Sequence, residues 1–132
     1  MAQETEPQAL LKVVVFDEGL LTATLSGDKK ITLRRYRPEA HDYRVGELFI
    51  GRFREGLDIL LRATADTQVK KFEQLTDEEA QDDGFENAQD AFIGMGKYYT
   101  DLKTDEQLAI LRYEIAKIDG YPAIKLNQFF EY

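Results

Sequence analysis

The chain has no cysteine and a single histidine. The first absence removes disulfides, thiolate catalysis and cysteine-ligated zinc. The second removes any metal site built on several histidines and leaves His41 as the one imidazole for acid–base work. His41 lies in "RPEAHDYR", between Pro38 and Gly46, and a lone loop histidine reads as a surface residue. No run of about 18 apolar residues occurs, so no membrane-spanning helix is expected. The opening "MAQETEPQ" lacks the basic start and apolar stretch of a secretory signal. A cytoplasmic location is therefore expected, with residues 1–8 frayed. Positive charge is scarce as well: 17 Lys and Arg stand against 25 Asp and Glu, a net charge of −8. A protein that grips long nucleic acid by its phosphates normally carries a basic surface, so a small ligand is favoured over a long strand.

What is present fits one globular domain: 132 residues, 43% of them hydrophobic. The charge is unevenly placed. Residues 29–37 hold Lys29, Lys30, Arg34, Arg35 and Arg37 with no acid, and residues 73–90 hold eight acids with no base. Two such segments either attract each other in the fold or form the opposed walls of a cleft.

"LLKVVVF", residues 10–16, is β-branched and apolar and reads as a buried strand. Asp17 then suits a helix cap, Leu20, Leu21, Thr24 and Leu25 form a helical stripe, and Gly27 suits its end. "KITLR" is a second strand. "ELFIGRF" and "LDILLRATA", joined by "REG", make a hairpin, with Gly51 marking a bulge or a close backbone approach. "QVKKFEQL" is a short extended piece. Thr76 and Glu79 form a capping box for an acidic helix that Gly84 ends. Asn87 caps a second helix, on which Ala88, Ala91, Phe92, Met95 and Tyr99 share a face. "EQLAILRYEIA" is a strand with Leu111, Tyr113 and Ile115 on one side, and the apolar tail suits a last strand. Strands and helices do not alternate regularly, so the expected class is α+β, with helices around a small mixed barrel.

"SGDKKITLRRY", "YRVGELF", "FEQLTDEEAQDDGF" and "YYTDLKTDEQLAILRYEI", in that order, resemble the ASCH family of the PUA-like fold. The likeness runs from about residue 12 to residue 116. It implies a mixed β-barrel of about five to seven strands with flanking helices over residues 9–118. The tail, residues 119–132, lies beyond the likeness, and its apolar content suits an extension packed on the domain. The resemblance also implies a cleft between the glycine-lysine strand and the acidic helix. ASCH proteins are suspected of binding RNA or nucleosides, and one small bacterial branch hydrolyses the amide of acetylated cytidine with a lysine, a threonine three residues on and a carboxylate. Carried over, these fall on Lys29, Thr32 and Asp83, with the strand-end arginine on Arg34. Asp83 stands where that branch has glutamate, and Lys30 where the family often has threonine. Asp82 and Asp83 have no third ligand at a fitting spacing, so no metal is expected, and no cofactor is expected either.

The residues allow this chemistry in their own terms. Thr32 shares a strand face with Lys30 and Arg34, while Ile31 and Leu33 face the other way. A threonine hydroxyl becomes a nucleophile when a base sits beside it, and a lysine with a lowered pKa is such a base. Asp83 then carries a proton to the leaving amine. Arg34, Arg35 and Arg37 with Tyr36 suit a phosphate and a stacked base, Lys30 adds a further cation, and of Tyr98 and Tyr99 one suits the core and one a cleft wall, Tyr99 being the expected binding residue. The plain structural readings are a β-rich threonine, an edge lysine, a helix-ending Asp-Gly turn and a solvated strand end. A second functional class is an RNA-binding module without catalysis, using residues 29–37 with Arg52 and Arg54. A ribonuclease has only His41 to work with. The tail "NQFF" suits an interface, and oligomeric state is open.

Overall fold

A computed structural model describes residues 11–17 and 19–126. The expected frayed start (residues 1–8) and the "NQFF" segment (residues 127–130) lie outside the described residues. The described chain is α+β. Its main sheet curls and is mixed, with seven strands.

β1 (Val13–Phe16) leads to a short helix α1 (Leu21–Ser26), then to β2 (Ile31–Arg35). β3 (Leu48–Phe53) and β4 (Leu57–Ala63) form the hairpin expected from "REG", and β5 (Gln68–Lys71) runs into a single 3₁₀ turn at Phe72–Gln74. The helices α2 (Asp77–Asp82) and α3 (Ala88–Met95) follow, then the long β6 (Gln107–Ile115), and the short β7 (Lys117–Ile118), β8 (Tyr121–Pro122) and β9 (Ile124–Leu126). The sheet order is β1-β3-β4-β6-β2, with β5 added to β6 and β9 to β4. β1 runs parallel to β3, and the other pairings are antiparallel.

β6 explains the curl. Its first half pairs with β2 on one edge and β5 on the other, while residues 113–115 pair with β4. Both faces of this strand are buried, in alternation. Ala109, Leu111 and Tyr113 join Phe16, Phe49, Phe53, Ile59 and Leu61 on the inner side of the curl. Leu108 and Ile110 join Ile31, Leu33, Phe72, Leu75 and Met95 beneath α2 and α3 on the other. A period-two strand between two cores must be apolar on both faces. "LAIL" has that composition. Full burial of each large side chain contributes about 1.5–3 kcal/mol. On the inner side Phe16 stacks on Phe53 at 4.8 Å, and a Cβ on Gly51 would stand 2.8 Å from Leu61 Cδ1. Of the two expectations at Gly51 the structure has the close approach, and the β3–β4 register runs through it without a bulge.

Local capping follows the sequence at α2 and α3. Thr76 and Glu79 bond reciprocally, and Asn87 Oδ1 accepts from the Asp90 N–H at 2.8 Å. Gly27 ends α1 in the left-handed conformation, φ +85°. Asp17 does not cap α1. The cap position is Leu20, without a side-chain bond, and Thr24 Oγ1 donates to the Leu20 carbonyl at 2.8 Å. Leu25 leaves the expected stripe and is exposed.

Candidate functional site

The turn after α1 aims Lys29. Gly27 reverses the chain, and the Lys29 N–H donates to the Ala23 carbonyl at 2.9 Å. The side chain then folds inward, where Nζ donates to the Ile31 carbonyl at 2.8 Å and pairs with Asp83. Asp83 is the C-terminal cap of α2, and Gly84 at φ +98° turns the chain away immediately after it. Both side chains are nearly buried, with 8% and 9% of their surface exposed. The plain reading of Asp82-Asp83-Gly84 as a solvated helix end therefore applies to Asp82 only. Burial raises the Asp83 carboxyl above the ordinary range, while Lys29, Arg34 and the Leu33 N–H pull it back.

Thr32 is buried on β2, and its Oγ1 accepts from Arg34 Nε at 3.2 Å. The two share a strand face, as the period of two requires. The Arg34 guanidinium lies deep, 5.2 Å from the Phe16 ring centroid, and burial lowers its pKa. Lys29, Thr32, Arg34 and Asp83 all line one cleft of about 360 Å³. Its apolar wall includes Leu20, Phe85 and Met95, and both Tyr98 and Tyr99 reach it. Tyr98 is 69% exposed, and its hydroxyl donates to Asp17 Oδ2 at 2.8 Å. Asp17 Oδ1 also meets Arg54 Nε at 3.0 Å, so the residue expected as a helix cap instead ties the cleft rim together. Sequence reasoning missed that role because nothing near Asp17 in the chain signals a partner 81 residues away.

Three expected binding residues lie outside this cleft. Arg35 is held by Glu106 at 2.7 Å and by Asp101 at 3.0 Å, and Tyr36 donates to Asp42 at 2.8 Å. Lys30 lines a second cleft of about 330 Å³, beside Lys117 and the end of α1, with Lys29 forming the partition between the two. The basic run 29–37 is thus divided rather than presented as one face. Among the described residues no group of three or more His, Cys, Asp or Glu stands where a metal is held.

His41 corrects the surface reading. It is 7% exposed, and its Nδ1 accepts from the Arg37 N–H at 3.0 Å. Burial, with Arg34 and then Arg37 nearby, lowers its pKa from 6.5 to about 4. The folded state keeps His41 neutral where the unfolded chain is protonated. Its contribution is complete above pH 6.5 and is lost as the pH falls toward about 4. Thermal midpoints across this window should decline in the parent protein, with a shallower decline in His41→Asn, whose amide oxygen can replace Nδ1 as acceptor. Equal slopes would remove His41 as the cause.

No family model matches the chain, and no curated protein matches it. Among solved structures it is similar to the crystal structure of protein EF3133 from Enterococcus faecalis V583, described as family-model DUF984. The TM-score is 0.61 at 16% identity, over 82% of this chain and 81% of that one. At this identity the likeness speaks for a related fold. No helix among the described residues is long and apolar enough to cross a membrane.

Proposed function

We propose that the 360 Å³ cleft receives the base of a modified nucleoside and hydrolyses the amide of an acylated cytidine. The observation that carries this reading is the meeting of Lys29, Thr32 and Asp83 in one cleft, although Lys29 and Asp83 are 54 residues apart. The cleft volume lies in the range of small-molecule sites, and the exposed Tyr98 offers a ring for stacking. The finer fold assignment, a PUA-like barrel of the ASCH type, belongs to the same proposal and is supported by the curled mixed sheet.

The chemistry runs in two steps. Asp83, with its carboxyl raised by burial, accepts the Lys29 proton and frees the amine as a base. The amine takes the Thr32 proton as Oγ1 attacks the acyl carbon. The carbon–nitrogen bond breaks, the Lys29–Asp83 pair returns a proton to the leaving nitrogen, and free cytidine and a threonine ester result. Water then cleaves the ester, releasing the carboxylic acid and restoring the hydroxyl. Arg34 stands beside Thr32 to stabilise the oxyanion in both steps.

The test is a chromatographic assay with acetylated cytidine. Turnover is expected in the parent protein and is expected to be abolished in Lys29→Ala, Thr32→Ala and Asp83→Ala chains that remain folded. A Thr32→Ala protein with full activity would sink the mechanism. Absence of product together with RNA affinity that falls steeply with salt would favour the non-catalytic RNA module.

A further inference from the structure

Among the described residues that line the cleft, the cations Lys29, Arg34 and Arg54 exceed the acids Asp17 and Asp83 by one. Lys29 is paired with Asp83, and Arg54 with Asp17 at the rim. Arg34 remains. Among the described residues its one hydrogen bond is from Nε to Thr32 Oγ1, so Nη1 and Nη2 make no hydrogen bond there. A guanidinium presents its donors as a planar fork, and the end-on pair of that fork matches the two oxygens of a carboxylate.

We infer that the floor of the cleft is a subsite for a small monocarboxylate, held end-on by Arg34. The charge decides the class. A monoanion neutralises the one surplus cation, whereas a dianion leaves a buried negative charge unpaired. The apolar lining residues Leu20, Leu33 and Met95 suit the hydrocarbon part of such an acid better than water does. The hydrolase reading makes this ligand the acid half of the cleaved amide, so the released acid competes with the next substrate. The binding claim itself stands on the charge and geometry of the cleft.

The test needs no turnover. Thermal midpoints are measured in sodium acetate, butyrate and sulfate against sodium chloride at equal ionic strength, in the parent protein and in Arg34→Gln. The difference between the two proteins removes general salt effects. Acetate and butyrate are expected to raise the parent midpoint by a few degrees beyond chloride. Arg34→Gln should lose that rise, with affinity reduced about tenfold or more. If Arg34→Gln does not fold, Arg34→Lys keeps the charge without the fork and should still bind several-fold more weakly. An equal rise in the variant overturns the inference, as does an Arg34-dependent effect of sulfate larger than that of acetate. Carboxylate binding without turnover of acetylated cytidine refutes the hydrolase alone. Turnover without carboxylate binding refutes this subsite alone.

Discussion

Lys29→Met is expected to lower the unfolding free energy by about 3–5 kcal/mol at neutral pH, as when one partner of a buried ion pair is removed. The methionine fills nearly the same volume, so packing changes little. The loss comes from Asp83, which keeps its burial and loses its largest favourable charge. The variant has a distinctive pH dependence. Without Lys29 the folded state holds Asp83 protonated to higher pH than the unfolded chain does. The penalty is therefore smallest in mild acid and grows as the pH rises through the folded pKa. Urea unfolding at pH 5 and pH 7 reads both features. Adding Asp83→Asn should recover most of the loss, because the amide retains an acceptor for the Leu33 N–H and has no charge to desolvate. A double variant as unstable as Lys29→Met would show that the lysine stem, not the charge, matters there.

Thr32→Val is expected to lower acetylcytidine turnover by about 10³-fold or more while Thr32→Ser stays within about tenfold of the parent. Valine preserves shape and strand preference but offers no oxygen. Arg34 Nε then loses its one acceptor, which costs about 1–3 kcal/mol of stability. Circular dichroism and a melting curve separate that cost from the catalytic loss. Serine retains both the nucleophile and the acceptor. If the valine protein turns over substrate at a parental rate, Thr32 is a buried structural threonine, and its role ends with holding Arg34.

Much of the architecture was legible along the chain because its causes are local. The Thr76–Glu79 box, the Asn87 cap, the left-handed Gly27 and the hairpin at 54–56 each depend on residues within a few positions of one another. The two-sided burial of β6 was half legible. The face of Leu111, Tyr113 and Ile115 stood out, whereas Leu108 and Ile110 needed α2 and α3 above them to be recognised as a second core. The mixed, curled sheet followed from irregular element order.

The candidate site divides in the same way. Lys29, Thr32, Arg34 and Asp83 are named through the family resemblance, since a strand threonine, a turn lysine and an Asp-Gly helix end read by themselves as structural. Only the tertiary structure closed the Lys29–Asp83 ion pair away from water, moved Arg35 and Tyr36 to acids elsewhere, buried His41 and gave Asp17 to the cleft rim. The physical reason is range. Backbone preferences and caps act over about one helical turn. Ion pairing and burial depend on which distant segments the sheet sets side by side, and charge along the chain carries no record of that neighbourhood.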